Sequence, residues 1–295
     1  MNKLEEKKIC AGIVTYNPKI ELLIQNIKAI YTQVSCVFII DNGSEKINEI
    51  YSLKNIFPNI CFVMNEKNVG IAAALNQIAQ KAIQMEFEWF LTLDQDSICP
   101  NLMIETYSKY IKEKDIAIIS PYIELRILQN NPFEEKQKLE YLETTITSGS
   151  LVRVQAWKDV GGFWEYLFID KVDDDFCYAV RKNGWKILRV NSIILKHEIG
   201  NPSIHSFMGK KFYTDSYPSF RYYYIARNTI IIYSLYSDTG YSSWKILLKR
   251  GIKIILGENK RMCKLKALCV GIVDGICWKI KCGKRGMSLT KTWKE

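Results

Sequence analysis

The sequence predicts an α/β protein whose mostly parallel sheet is covered by helices on both faces. Short apolar runs of strand length alternate, along the first half of the chain, with segments whose apolar residues recur at helical spacing. The runs are continuous rather than alternately polar, as in strands that are buried on both faces. No internal repeat or low-complexity linker interrupts the 295 residues.

Four runs have the length and composition of strands: residues 9–15, 37–40, 61–64 and 89–93. Helices are predicted at residues 20–31 and 71–85. Further on, strands are predicted at residues 116–120 and 186–190, with a helix at residues 173–183 between them. Ligands bind at the carboxyl ends of parallel strands, so the polar residues that end the first runs are candidates for a site. They are Thr15, Asp41, Asp94 and Asp96.

The excess positive charge lies at the end of the chain. The formal net charge is +10, but residues 241–295 hold 14 Lys and Arg against three acids, whereas residues 1–240 hold 27 against 28. We therefore predict one folded domain over residues 1–240, with halves of about 1–115 and 116–240, and a basic helical tail over residues 241–295. A nucleic-acid partner is not expected, because the predicted core is slightly acidic.

The tail has the pattern of a basic amphipathic helix. Lysines recur at every fourth residue within residues 244–256, and Leu248, Ile252 and Ile255 lie on another face. Such a helix suits an anionic membrane surface, and the alternative is a helical cap on the core with a solvated basic face. A second apolar stretch, residues 267–278, is interrupted by Gly271, Asp274 and Gly275.

Cysteine usage and the N-terminus bear on the compartment. The nine cysteines include no CxxC pair and lie mostly in apolar runs, as buried free thiols do in a reducing compartment. The charged N-terminus lacks the apolar region of a signal peptide, and no apolar stretch reaches the ~20 residues that span a bilayer. We expect a cytoplasmic protein, which the tail could hold peripherally at the inner face of the plasma membrane.

A strand that ends in two acids is the sharpest candidate for chemistry. Asp94 and Asp96 follow an apolar strand and, two residues apart in extended chain, point to the same side. Oxygen ligands of this kind suit Mg²⁺ or Mn²⁺ bound to a diphosphate, and the alternative is an ordinary turn. His197 also follows a strand-like run and is a candidate third ligand, although a lone histidine is more often structural.

A second acidic cluster contains Asp170 and the run Asp173-Asp174-Asp175, flanked by aromatic residues. A carboxylate in such surroundings has a raised pKa and can act as a general base toward a hydroxyl. The alternative is favourable placement of acids in the first turn of a helix. Arg221 and Arg227, six residues apart among three tyrosines, could clamp phosphates or belong to an ordinary surface helix.

Several enzyme classes lack their motifs here. No GxGxxG follows the first strand and no GxxxxGK[ST] is present, which disfavours dinucleotide oxidoreductases and P-loop NTPases. No GxSxG elbow is present either, which disfavours the corresponding hydrolases.

The motifs together resemble family 2 glycosyltransferases of the GT-A fold, a Rossmann-like mixed sheet flanked by helices. The resemblance rests on residues 11–18 (AGIVTYNP), 41–44 (DNGS) and 68–76 (NVGIAAALN). Residues 93–97 (LDQDS), 167–173 (LFIDKVD) and 222–228 (YYYIARN) are similar to the bacterial rhamnosyltransferase branch. The resemblance covers about residues 9–233.

The resemblance implies roles for the candidate residues. Those implied to bind the nucleotide-sugar donor are Thr15, Asn17, Asp41, Asn68, Asp94, Arg221 and Arg227. Asp96 and His197 would ligate a divalent metal on the diphosphate. Asp173 matches the family's catalytic base, with Asp170 as a further acid of the cluster. The family usually has Glu where this chain has Asp175, so the roles of Asp173 and Asp175 are open to exchange.

The implied activity is inverting, metal-dependent transfer of a sugar, with Mg²⁺ or Mn²⁺ as cofactor. The branch implies L-rhamnose from dTDP-rhamnose as the donor and a glycan or lipid-linked saccharide as the acceptor. The pathway would be bacterial surface polysaccharide synthesis, of O-antigen, capsule or cell wall. The alternatives are a UDP-hexose donor with the same chemistry and a non-catalytic, nucleotide-sugar-binding partner in a glycan assembly complex. The implied division is a nucleotide-sugar half (1–115) and an acceptor and catalytic half (116–240).

Overall fold

The computed structural model describes residues 8–125, 138–197, 203–207, 209–236 and 242–288. The chain forms two compact units. Unit 1 comprises Met1–Glu165 and Phe176–Glu198, and unit 2 comprises Tyr166–Asp175 and Ile199–Glu295. The boundaries expected from the sequence, near 115/116 and 240/241, therefore fall inside unit 1 and unit 2 respectively.

Unit 1 is built on one sheet of eight strands: β1 (Ile9–Thr15), β2 (Val37–Asp41), β3 (Ile60–Met64), β4 (Trp89–Asp94), β5 (Ile116–Leu125), β6 (Leu139–Tyr141), β7 (Ser150–Arg153) and β8 (Lys186–His197). Their order is β3-β2-β1-β4-β7-β5-β8-β6. Strands β3, β2, β1 and β4 are parallel neighbours, and β7 runs antiparallel to both β4 and β5. This arrangement confirms the predicted mixed, mostly parallel sheet.

The helices of the first unit are α1 (Ile20–Tyr31), α2 (Ile47–Tyr51), α3 (Ile71–Gln84), α4 (Met103–Ser108) and α5 (Val154–Asp159). Helix α6 (Val172–Lys182) begins in the part of the chain assigned to unit 2 and continues into unit 1. All seven residues of β1 are buried. A Cβ atom at Gly12 would lie 2.4 Å from Ile78 of α3, so glycine there lets the helix pack closely on the strand.

The parallel register brings polar residues to one edge of the sheet. Thr15 is paired with Asp41, and Val14 is paired with Asp94 on the other side of β1. The carboxyl ends of β1, β2 and β4 therefore lie side by side, as expected from the sequence. This edge is where ligands of open α/β sheets bind.

Unit 2 contains a hairpin, β9 (Ser203–Phe207) and β10 (Lys210–Thr214), and three helices, α7 (Ser219–Leu235), α8 (Ser243–Gly257) and α9 (Arg261–Lys281). In α7 every residue from 222 to 232 is buried. Helix α9 passes against it at two glycines. A Cβ at Gly271 would lie 2.3 Å from the Tyr223 carbonyl oxygen, and one at Gly275 would lie 2.9 Å from that of Arg227.

The predicted helical tail is thus confirmed as helical, but its second helix is continuous through the glycines that interrupt the apolar pattern. Trp278 and Leu268 of α9 are buried, and Leu268 belongs to the apolar cluster formed with α7. Within the described part of the chain, no helix combines the length and the apolarity needed to cross a membrane.

Candidate active site

At the edge of the sheet in unit 1, the carboxylate of Asp41 organises the ends of β1 and β2. Asp41 is fully buried and accepts hydrogen bonds from the Thr15 hydroxyl (3.0 Å), the Ser44 hydroxyl (2.5 Å) and the Ser44 backbone N–H (2.9 Å). The Ser44 hydroxyl oxygen in turn accepts from the backbone N–H of Asn17 (2.7 Å). Thr15 and Asp41 are therefore buried and held by hydrogen bonds, while the next two residues of the chain, Tyr16 and Asn17, are exposed.

A second hydrogen-bonded group joins the loops that follow β2 and β3. The Asn42 side chain donates to Asn68 (3.0 Å) and accepts from the backbone N–H of Val69 (2.9 Å). Gly43 has φ +83°, and a Cβ atom there would lie 2.6 Å from the backbone carbon of Lys67. The close approach of the two loops therefore requires glycine, and it leaves Asn68 exposed at the same edge as Asn17.

The two acids after β4 differ in exposure. Asp94 is half-buried, and its carbonyl oxygen accepts from the Asn26 side chain (2.6 Å) and the Ser97 backbone N–H (3.2 Å). Asp96 is exposed. His197 is the last residue of β8, paired in register with Leu125, and its side chain lies outside the described residues.

The described side chains do not by themselves form a complete binding site for a divalent metal ion. Among the described residues, no group of three or more His, Cys, Asp or Glu side chains could hold a metal ion. Mg²⁺ and Mn²⁺ are commonly bound through one or two carboxylates together with phosphate oxygens of a substrate. The exposed carboxylate of Asp96 at a strand end fits that kind of shared site.

In unit 2, the loop that leads into α6 has an unusual backbone. Phe168, Asp170 and Lys171 all have positive φ, between 61° and 65°, although none of them is glycine. Each such residue costs roughly 1 kcal/mol or more and persists only where the surroundings over-determine the conformation. The strained residues lie directly before the cluster of acids at the start of α6.

Two consecutive residues of α7 hold this loop. The Asn228 side-chain amide lies within hydrogen-bonding distance of three loop carbonyl oxygens, those of Leu167, Ile169 and Asp170, at 2.8–2.9 Å. Arg227 is fully buried and donates to the carbonyl oxygens of residues 166 and 167. Its Nη1 atom has no hydrogen-bond partner within the described part of the chain.

Asp170 and Arg221 form an ion pair. The Arg221 Nε and Nη2 atoms both donate to the Asp170 carboxylate, at about 3.1 Å, and the guanidinium stacks on the Tyr217 ring at 3.8 Å. The Arg221 side chain remains 30% exposed. Asp170 is thus engaged with a cation in this structure, as are Asp174 and Asp175 of α6.

Asp173 carries a perturbed carboxyl group in the first turn of α6. Burial, reinforced by the neighbouring negative charge of Asp174, raises the pKa of Asp173 to about 7. The helix N-terminus favours the ionised form there but contributes only ~0.3–1 kcal/mol at an exposed site, so burial prevails. Asp174 is itself paired with Lys171, at 2.8 Å. A carboxyl group that titrates near neutral pH is suited to general-base catalysis.

Asp175 has a different environment. Its side chain is fully buried, and Arg285 donates to it from both Nε (2.9 Å) and Nη2 (2.9 Å). The Tyr236 hydroxyl donates a further hydrogen bond of 3.2 Å. Burial raises the pKa of Asp175, and the contacts with Arg285 and Tyr236 oppose that rise. Asp175 is therefore held in an internal ion pair with the segment that follows α9.

The comparison with known protein families agrees with this geometry. The family model described as "Glycosyl transferase family 2" matches residues 10–159, about half of the chain, which include β1 without its first residue and all of β2 to β7. The chain belongs to glycosyl transferase family 2. The resemblance noted in the sequence is confirmed at the level of the family.

Individual relatives of this family 2 transferase share between 12% and 28% of their aligned residues with it. The dTDP-rhamnosyl transferase RfbF of Shigella flexneri is 28% identical over 214 residues, which are 66% of this chain and 71% of the relative. The mannosyltransferase PcManGT of Pyrobaculum calidifontis, solved with GDP-Man and Mn²⁺, aligns with a TM-score of 0.57 at 12% identity, covering 94% of this chain and 76% of that one.

GalNAc-T7, solved with UDP, GalNAc and Mn²⁺, aligns with a TM-score of 0.55 at 14% identity. The alignment covers 92% of this chain but only 57% of that protein, so this chain spans little more than half of its length. At such low identity these two structures show the fold alone. The predicted GT-A fold of this family 2 transferase is confirmed.

Some residues that build the site were not singled out in the sequence. Asn228 holds the strained loop, and Arg285 and Tyr236 hold Asp175. Asn228 could have been found from the sequence, since it follows Arg227 in the motif YYYIARN that is similar to the rhamnosyltransferase branch. Nothing in the sequence pointed to Arg285, because it lies 110 residues from Asp175 in a tail with many cations.

Proposed function

We propose that this family 2 transferase moves L-rhamnose from dTDP-rhamnose to a glycan or lipid-linked saccharide, in the synthesis of a bacterial surface polysaccharide. Support for the donor comes from the similarity to the dTDP-rhamnosyl transferase RfbF over two thirds of this chain. The edge of the sheet formed by Thr15, Asp41 and their hydrogen-bonded loops would receive the nucleotide, with Asn17 and Asn68 exposed toward it. Asp94 would lie near the ribose.

The catalytic base of the proposal is Asp173. The observation that carries it is the pKa of about 7, which leaves much of the carboxyl group ionised at neutral pH yet basic enough to accept a proton. Its carboxylate would remove the proton of the acceptor hydroxyl as that oxygen bonds to the anomeric carbon. The bond from that carbon to the diphosphate breaks with its electron pair on the leaving oxygen. A single displacement of this kind inverts the configuration.

The leaving diphosphate needs positive charge near it. Asp96 and His197 would hold a Mg²⁺ or Mn²⁺ ion, which when bound stabilises the negative charge that develops on the diphosphate. Between the two candidate arginines, Arg221 is the better contact for the donor, because its side chain is partly exposed. Arg227 is fully buried, and we assign it to holding the strained loop.

The substitution Asp173→Asn tests the base. We expect a loss of at least ~10²-fold in transfer rate with unchanged donor affinity, because the amide cannot accept the acceptor proton. The matched control is Asp174→Asn, the same change on the adjacent residue, which should keep most of the activity. Equal losses in the two variants, or loss of donor binding in the first, would contradict the assignment.

A thermal-shift panel tests the donor. The protein is heated with dTDP-rhamnose, UDP-glucose, UDP-galactose or GDP-mannose, each with Mn²⁺ or with a chelator. We expect the largest stabilisation with dTDP-rhamnose, since a ligand that binds only the folded state raises the melting temperature. A selective response to a UDP-sugar would replace the donor and keep the mechanism. No response to any donor would favour a non-catalytic role.

A further inference from the structure

Helix α8 has an apolar stripe that faces solvent. Trp244, Leu248, Ile252 and Ile255 are 56%, 68%, 48% and 51% exposed. Successive residues of an α-helix lie 100° apart, so these four fall within an arc of about 80° that is roughly 16 Å long. The helix docks on unit 2 through a different face. We call the four residues the α8 stripe.

The docking face of α8 shows why the stripe is left outside. Leu247 and Ile254 are buried in the apolar cluster of unit 2, with Tyr222 and Leu268 among its members. They lie about 100–120° around the helix from Leu248. The sequence left open whether the apolar side of this helix covers the core. The structure shows two apolar faces: one packs into the apolar cluster of unit 2, and the residues of the other, the α8 stripe, are 48–68% exposed.

A row of lysines borders the α8 stripe. Lys245, Lys249 and Lys253 each directly follow a stripe residue, which places them about 100° further around the helix. Helix α8 contains no acidic residue, and its remaining cation, Arg250, is paired with Asp215. Partial burial, with Arg250 and Lys249 nearby, lowers the pKa of Lys253, which agrees with an electropositive surface.

Exposed apolar residues beside a row of cations fit one kind of partner. We propose that the α8 stripe and its lysines bind the surface of an anionic lipid bilayer, with the apolar residues entering the headgroup region and the lysines contacting lipid phosphates. Trp244 at the start of the helix suits the interface, where the indole ring is favoured. A second copy of the chain fits less well, because an antiparallel two-fold contact between the stripes would bring the two lysine rows side by side.

This surface goes beyond the proposed transfer reaction and does not depend on the donor. It would place the enzyme where a lipid-linked acceptor is found. Each cation near an anionic surface strengthens binding about five-fold, so three lysines together contribute on the order of 10²-fold. The apolar residues contribute in addition, so that binding is only partly removed by salt.

The test measures sedimentation of the full-length protein with vesicles, in the absence of any nucleotide sugar. We expect binding to vesicles with about one third phosphatidylglycerol, little binding to pure phosphatidylcholine, and weakening by salt. The triple variant Lys245→Gln/Lys249→Gln/Lys253→Gln should bind on the order of 10²-fold more weakly. Its matched control, Lys109→Gln/Lys112→Gln/Lys114→Gln, makes the same charge change on unit 1 and should bind normally.

A second pair of variants separates the apolar contribution from charge. Leu248→Ser should weaken binding to anionic vesicles, whereas Ile56→Ser, at a similarly exposed apolar position of unit 1, should not. Lys253 is partly buried and the other substituted side chains are exposed, so melting temperatures should stay close to that of the parent protein. Equal weakening by variant and control would overturn the proposal. The proposal would also be overturned if the full-length protein does not bind vesicles but forms a dimer that Leu248→Ser dissociates.

Discussion

Replacing Arg285 with methionine would remove the ion-pair partner of Asp175 while keeping much of the side-chain volume. In the parent protein Arg285 reaches the buried carboxylate through two nitrogens, each about 2.9 Å away. The Asp175 side chain has no exposure to solvent, whereas that of Arg285 is 20% exposed. Loss of the guanidinium therefore leaves a buried carboxylate whose oxygens, within the described part of the chain, keep the hydrogen bond from the Tyr236 hydroxyl.

The expected loss in the free energy of unfolding is about 3–5 kcal/mol at pH 8, the usual cost of breaking a buried pair from one side. The loss should shrink at lower pH. Burial already raises the pKa of Asp175 and Arg285 holds it down, so in the variant the pKa rises further. The folded variant then keeps a proton that the unfolded chain releases, and its stability falls as pH rises through that range.

Urea unfolding followed by tryptophan fluorescence measures the effect. Trp278 is a suitable probe, because it is buried and its indole N–H donates to the carbonyl of Met287, close to Arg285. The double variant Arg285→Met/Asp175→Asn carries no unpaired charge and should recover much of the loss. Lys284→Met is the matched control and should change stability by less than about 0.5 kcal/mol. If Arg285→Met unfolds like Lys284→Met at pH 8, the buried pair does not stabilise the protein.

Three further predictions concern the same unit. The pH profile of kcat/KM should rise through an apparent pKa of about 7, that of Asp173, and Asp174→Asn should move this limb to lower pH by removing a like charge. Asn228→Ala should lower the free energy of unfolding by about 2–3 kcal/mol in urea titrations, since three loop carbonyls lose a donor. Gly271→Ala should lower the melting temperature, because its Cβ would lie 2.3 Å from a backbone oxygen, whereas Gly251→Ala, whose nearest neighbour is 3.7 Å away, should not.

The sheet was predictable because each of its first strands is a short run of apolar residues that is recognisable without the rest of the chain. Strand β1 has the predicted bounds, and β2 and β4 each extend one residue further, to Asp41 and Asp94. A buried run of apolar residues that ends in a polar side chain is visible in any short window of sequence. The parallel register then follows from the connections, since each strand is joined to the next through a helix or helical turn. Candidate residues at the strand ends, Thr15 among them, could be found in the same way.

The tail shows what a local pattern misses. Gly271 and Gly275 interrupt an apolar stretch and are poor helix formers, yet both lie inside α9. They face α7 at positions where no side chain fits, so the cost in helix propensity is offset by close packing. Similarly, Leu247 and Leu248 are adjacent leucines of α8, but only Leu247 is buried. Which apolar face of a helix meets the core depends on residues far away in the chain.

The choice between Asp173 and Asp175 illustrates the same limit at the site itself. Two residues apart on a helix means about 200° around its axis, so the two carboxyl groups face different surroundings although the sequence presents them as near equivalents. Asp175 faces a cation supplied from residue 285, which keeps its carboxylate engaged. Among the described residues Asp173 forms no ion pair of that kind: burial and the charge of Asp174 raise its pKa to about 7, and the charge of Lys171, which is paired with Asp174, opposes that rise only in part. A general base must be reachable and free of a strong ion pair. Asp173 is partly exposed and accepts only a backbone hydrogen bond from Asp174 among those described, whereas Asp175 is buried against Arg285, so Asp173 fits that description better.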